Sequence, residues 1–214
     1  MKENDFFVNS AYKLKLLNPL ILLEDFNKMY YFDLNNKNVL DVGGLYGETA
    51  FYFLYDMGAK NVFVYEPIRE NFDLIKINII KNKVEKRIFP YEKGVSNYVG
   101  IQVINTIAPP GDCGFGLSGD KYSIKIPVDS WDTILERHKK DNIYLAKVDC
   151  EGGEKYLIEA NKELIKTIPN WVIETHSAEI EKNIIGLFES LGYKKELRAK
   201  INKKNGVSVW GFFK

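Results

Sequence analysis

The chain has 214 residues, 45% hydrophobic and 14% aromatic, with 30 Lys and Arg against 29 Asp and Glu. This suits one ordered domain with a sizeable core, and a net charge of +1 gives no global field to attract nucleic acid. Cys113 and Cys150 give neither a disulfide scaffold nor metal-type spacing, no apolar run approaches a membrane span, and Met1-Lys2-Glu3-Asn4-Asp5 leads into no signal-peptide core, so a cytoplasmic protein is expected.

Ser10 can cap a helix running to about Tyr30, with Leu14, Leu17, Leu20 and Ile21 as its apolar stripe. This predicts a helical extension over 1–37 ahead of a main domain over 38–214. A strand over Asn38 to Asp41 is followed by a helix from Glu48 to Met57, which Gly58 stops. A second strand covers Asn61 to Tyr65. A helix from Arg69 to about Lys81 turns Phe72, Ile75, Ile79 and Ile80 inward, and a short strand carries Arg87 to Tyr91.

The alternation then breaks. Val99 to Asn105 and Tyr122 to Val128 read as strands around the glycine-rich stretch Ala108 to Gly119, a lid, a binding loop or a disordered segment. Phe115 there, between Gly114 and Gly116, is a candidate cover for an acceptor. Ser130 can cap a helix holding Trp131, Ile134 and Leu135. His138 reads as a surface residue on that helix, and Trp131 and Trp171 read as core. Ile143 to Val148 is an apolar strand ending at Asp149, with a helix from near Glu151. Trp171 to Glu174 is another strand. Ile180, Ile184, Leu187, Phe188 and Leu191 make an amphipathic helix closed by Gly192. Tyr193 to Arg198 and Val207 to Phe213 flank Asn205-Gly206, a strong hairpin signal.

The run Val39-Leu40-Asp41-Val42-Gly43-Gly44-Leu45-Tyr46-Gly47 carries the chemistry. A dinucleotide loop wants glycine first, third and sixth, and that frame here reads Val42, Gly44, Gly47. The missing first glycine compromises close approach to a pyrophosphate, and the Asp41 carboxylate would repel one. A carboxylate there can instead accept from an ammonium or a bound water, as S-adenosylmethionine with its α-amino group and sulfonium would require. Glu66 lies 19 residues past Gly47, the spacing of an acid that grips ribose hydroxyls. The expected cofactor set is Asp41, Gly43, Gly44, Gly47, Glu66 and Pro67.

Asp41-Val42-Gly43 with Gly47, then Tyr65-Glu66-Pro67, then Lys147-Val148-Asp149-Cys150-Glu151-Gly152-Gly153-Glu154 resemble the FkbM family of S-adenosylmethionine-dependent methyltransferases. Glu174-Thr175-His176 resembles that family's E-x-H after the next strand. Leu45-Tyr46 departs from it, standing where the family often has Asn and a small residue. The resemblance runs from about Asn38 to Lys194. It implies an α/β, Rossmann-like class I fold: a mostly parallel seven-stranded sheet, helices on both faces and a C-terminal antiparallel hairpin. It also implies methyl transfer, typically to a hydroxyl of a small molecule, sugar or glycan.

Asp149, Glu151, Glu154, Glu174 and His176 all fall at carboxyl ends of predicted strands, the active edge of such sheets. Asp149, Glu151 and His176 are the catalytic candidates, with His176 a base near neutral pH. Glu151 and Glu154 could equally sit in a first helical turn for dipole reasons, with Lys147 pairing one of them. Two or three of the acids could hold Mg²⁺; the spacing permits a metal without demanding it, and none is predicted. The basic tail of Lys194, Lys195, Arg198, Lys200, Lys203 and Lys204 leaves an RNA methyltransferase as the alternative. No aromatic platform accompanies it, however, and no N-P-P-[YF] run follows the fourth strand. A cofactor-binding protein without turnover is the third reading. Nothing in the sequence reads on oligomeric state.

Overall fold

The computed structural model describes residues 28–106, 122–202 and 206–214. Apart from residues 28–30, which are helical, the helix expected from Ser10 lies outside these, as do Ala108 to Gly119, Lys203, Lys204 and Asn205. The strands are β1 (Asn38–Val42), β2 (Asn61–Tyr65), β3 (Ile88–Tyr91), β4 (Gly94–Ser96), β5 (Gly100–Thr106), β6 (Tyr122–Ser130), β7 (Ile143–Val148), β8 (Asn170–Thr175), β9 (Lys194–Asn202) and β10 (Val207–Phe213). The helices are α1 (Glu48–Tyr55), α2 (Arg69–Asn82), α3 (Trp131–Arg137), α4 (Lys162–Ile165) and α5 (Ala178–Ser190), with a 3-10 helix over Gly153–Glu159.

Seven strands form one sheet in the order β3-β2-β1-β7-β8-β10-β9. β3, β2, β1, β7 and β8 pair in parallel, and β10 runs antiparallel to both β8 and β9. The parallel strands read as near-continuous apolar runs because both their faces are covered. Val39, Val64, Leu145 and Val172 pack with α1 and α2 on one face. Leu40, Val42, Val148 and Ile173 pack with Trp131, Leu135 and Phe188 of α3 and α5 on the other. Each fully buried aliphatic or Phe side chain contributes about 1.5–3 kcal/mol. Tyr30 and Leu34, ahead of β1, are buried in the same core. Among the described residues no helix is long and apolar enough to cross a membrane.

β5 and β6 are strands as expected, and they pair antiparallel. They belong, however, to a separate sheet, ordered β4-β6-β5, in which β4 pairs in parallel with β6. Ser130 caps α3 as predicted, its Oγ accepting from the Thr133 amide. Other expectations change. α1 ends at Tyr55, short of Met57. Ile80 is 62% exposed, and the buried face of α2 is Asn71, Ile75, Asn78 and Ile79. No α-helix starts near Glu151: that residue sits at φ 50 and Gly152 at φ 101, so the chain turns in left-handed backbone before the 3-10 helix begins at Gly153.

Candidate functional site

Chain order runs outward from β1 through β2 to β3, then resumes on the other side of β1 with β7 and β8. The crevice between β1 and β7 is therefore the topological switch point, where open α/β sheets bind ligands. Gly43 leaves β1 at φ 87, and a Cβ there would lie 1.6 Å from the Asp149 carbonyl oxygen, so the two strand ends touch through glycine. The amides of Gly43 and Gly44 both donate to the Tyr65 carbonyl, at 2.9 and 3.0 Å. A Cβ on Gly44 would meet Val64 Cγ1 at 2.2 Å, which keeps the loop flat on β2. Gly47, at φ 93, starts α1.

Lys147 and Asp41 are cross-strand partners in the β1–β7 register. The Lys147 ammonium, 2% exposed, lies 3.2 Å from Asp41 Oδ1 and 3.7 Å from Asp149 Oδ2. It also donates to the Gly43 carbonyl at 2.7 Å. Burial alone would pull this lysine down, but the neighbouring carboxylates hold it above its ordinary range. Its partners are thus Asp41 and Asp149, in place of the expected Glu151 or Glu154. Asp41 is fully buried behind the glycine loop, where its Oδ2 also accepts from Thr49 at 2.6 Å.

A cavity of about 360 Å³ opens at these strand ends, within the size range of small-molecule sites. Of the expected cofactor residues, Gly43, Glu66 and Pro67 line it, while Asp41, Gly44 and Gly47 shape the loop behind. Glu66 ties the loop to the start of α2: its carboxylate accepts from the amides of Leu45 and Ile68, each at 2.9 Å, and from Asn71 Nδ2 at 3.3 Å. Burial nevertheless lifts its pKa to about 7. The small sheet forms the opposite wall through Gly94, Val95, Gln102, Ile104 and Ile126.

The catalytic candidates converge. Asp149 and Glu151 line the cavity, and His176 stands behind them at the end of β8. His176 Nε2 lies 3.6 Å from Asp149, 3.5 Å from Glu151 and 3.6 Å from Glu174. Its Nδ1 is 2.9 Å from Glu154, which also accepts from the amides of His176 and Gly152. Burial works against protonation of His176, but the hydrogen bond to Glu154 and the surrounding carboxylates outweigh it and raise the imidazole to about 9. The surrounding carboxylates thus favour the protonated ring. Burial, and then the charge of Asp149, lift Glu174 to about 8, and burial lifts Glu151 to about 7. Glu154 is held below its ordinary value by His176 despite its burial.

His138 is a further correction. It is 3% exposed, with Nε2 2.8 Å from the Tyr65 hydroxyl and Nδ1 2.7 Å from Asp141. The Asp141 carboxylate accepts from Nδ1–H, and burial depresses the ring's pKa, so His138 is the neutral Nδ1–H tautomer and its Nε2 accepts from the Tyr65 hydroxyl, which in turn accepts from Arg137. Trp131 and Trp171 are core, as expected. Sequence reasoning missed Asn71, Gln102, Lys155 and Tyr156 on the cavity wall. Asn71 had a signal: with Ile75, Asn78 and Ile79 it completes a helical stripe into which two amides are set. The β5 and β6 residues had none, because their strand pattern does not say which surface they cover.

A profile described as "Methyltransferase FkbM domain" matches residues 41–195, from Asp41 near the end of β1 to the start of β9. The chain belongs to the FkbM methyltransferase family. Among solved structures it is similar to the FkbM methyltransferase of Methylobacillus flagellatus KT, with a TM-score of 0.59 at 20% identity over 86% of this chain and 45% of that one. The chain thus spans less than half of that relative's length. Precorrin-6y C5,15-methyltransferase of Geobacter metallireducens GS-15 aligns with a TM-score of 0.54 at 11% identity, over 94% of this chain and 92% of the other. Streptococcus pneumoniae Sp1610, solved in complex with S-adenosyl-L-methionine, aligns with a TM-score of 0.55 at 9% identity, over 90% and 71%. These likenesses establish a Rossmann-like methyltransferase fold. No curated protein matches the chain by sequence.

Proposed function

We propose that this FkbM-family protein is an S-adenosylmethionine-dependent O-methyltransferase whose acceptor is a hydroxyl of a small molecule, sugar or glycan. One observation carries the reading: a single cavity at the switch point has the Glu66 carboxylate on one wall and Asp149 and Glu151 on another. The residues fit the cofactor. Glu66 is offered to ribose hydroxyls, and the glycine loop closes on β2 without the leading glycine that a pyrophosphate needs. Asp41 acts in this reading as a positioning residue, holding Lys147 against the Gly43 carbonyl.

S-adenosylmethionine supplies an electrophilic methyl group on a sulfonium. The protein's part is to bind it, to orient the acceptor and to receive the acceptor's proton. Asp149 and Glu151 have the geometry for the last task, being the carboxylates of the cluster that line the cavity. A cytoplasmic setting and a freely diffusing acceptor complete the proposal. Two of the basic residues that left RNA as an alternative are ion-paired in the described hairpin, Lys195 with Glu189 and Arg198 with Glu196.

Calorimetric titration with S-adenosylhomocysteine, with NAD as control, tests the reading. Micromolar binding of the former alone is expected. No binding by the folded protein overturns it, and binding without turnover on any hydroxyl acceptor returns the protein to a binding role.

A further inference from the structure

We propose that Asp149, Glu151 and His176 form a binding site for one divalent cation of the Mn²⁺ class, on the acceptor side of the cavity. This rests on the methyltransferase reading and deepens it. One donor atom from each of the three residues lies within 4.8 Å of the others. His176 Nε2 stands 3.6 Å from Asp149 Oδ1 and 3.5 Å from Glu151 Oε2. Donors at about 2.0–2.2 Å from a shared ion lie roughly 3.0–3.5 Å from one another, so the two imidazole–carboxylate gaps are already near that spacing, while the Asp149 and Glu151 oxygens, within 4.8 Å of each other, draw together on binding.

The imidazole is set up for this from behind. Nδ1 faces the fully buried Glu154 at 2.9 Å, and Glu154 is itself fixed by the amides of Gly152, at 2.8 Å, and His176, at 3.0 Å. A ligating histidine almost always gives its other ring N–H to a carboxylate in this way, which turns the remaining nitrogen toward the metal. Nε2 makes charge contacts alone, at 3.5–3.6 Å from Asp149, Glu151 and Glu174, so a cation entering between the carboxylates takes the place of the Nε2 proton, which leaves to solvent.

Charge points the same way. Glu174 brings a third carboxylate oxygen to 3.6 Å from Nε2. The nearby ammonium of Lys147 is already engaged by Asp41 and the Gly43 carbonyl. One imidazole with carboxylates suits Mn²⁺ or Zn²⁺ better than an all-oxygen ion such as Ca²⁺. Because Asp149 and Glu151 line the cavity, the ion would meet the acceptor oxygen, where a Lewis acid lowers the pKa of a bound hydroxyl; each carboxylate gives the ion one oxygen and keeps its second to take the acceptor's proton.

The test is a Mn²⁺ titration of the purified full chain, followed by the electron paramagnetic resonance signal of free Mn²⁺, alongside an S-adenosylhomocysteine titration of the same samples. The wild type should remove about one equivalent of Mn²⁺ from the free signal. Glu151→Gln, at a partly exposed side chain whose loss leaves no buried group unpaired, should weaken this at least about tenfold. Glu154→Gln, which keeps all three donors, should weaken it about 10–100-fold. S-adenosylhomocysteine binding without Mn²⁺ binding overturns the cation site and leaves the methyltransferase reading standing. Equal Mn²⁺ binding by wild type and Glu151→Gln also overturns it, because the ion then sits elsewhere. Mn²⁺ binding that is lost in the variants supports the site whatever the S-adenosylhomocysteine result, which bears on the methyltransferase reading alone.

Discussion

Glu66 accepts the Leu45 and Ile68 amides, yet burial lifts its carboxyl to about 7, so it titrates around neutral pH. Ribose hydroxyls donate to the ionised form, so binding should strengthen as Glu66 loses its proton. Affinity for S-adenosylhomocysteine is expected to fall about tenfold from pH 8 to pH 6, and Glu66→Gln to bind weakly with that component of the pH dependence removed. Calorimetry across pH checks this. The sign for folding is the reverse. With a folded value above the unfolded one, the neutral carboxyl contributes stability that is complete below about 4.5 and is lost as pH rises toward 7. Spacing after Gly47 is enough to single out Glu66 in the sequence. Its occupied oxygens are not visible there, because Leu45 and Asn71 reach it through the fold.

Between β1 and β7, the register brings Asp41 beside Lys147 in the interior, and both are all but fully buried. Removing one partner of such a pair strands the other charge. Lys147→Met is expected to cost about 3–5 kcal/mol in urea unfolding, and adding Asp41→Leu to restore most of it. If the double variant is no more stable than Lys147→Met, the pair is not what holds these strand ends. In the same sequence run, Glu151 and Glu154 resemble the first turn of a helix. The left-handed Glu151-Gly152 bend instead sends Glu154 inward to His176 and leaves Glu151 on the cavity wall. A pattern of residue types carries no such information, because the bend is held by long-range partners.

For the molecule as a whole, any ligand that binds the folded state alone stabilises it by mass action. S-adenosylhomocysteine at 100 times its Kd should add about 2.7 kcal/mol, which raises the Tm of a chain this size by about 5–10 °C, while NAD leaves it unmoved. A thermal melt with each ligand reads this directly, and equal shifts would argue against the loop's selectivity. The sequence by itself determined the parallel sheet, its closing hairpin, the glycine loop, Glu66 and the acid-rich edge. Each rests on local signals: buried apolar runs, turn residues and fixed spacings. The tertiary structure alone decided that Lys147 serves Asp41, that His138 is buried on Tyr65, that β4, β5 and β6 wall the cavity, and that His176 is enclosed by carboxylates. Those facts depend on contacts between residues far apart in the chain, and on burial, which sets charge states only once the chain has packed.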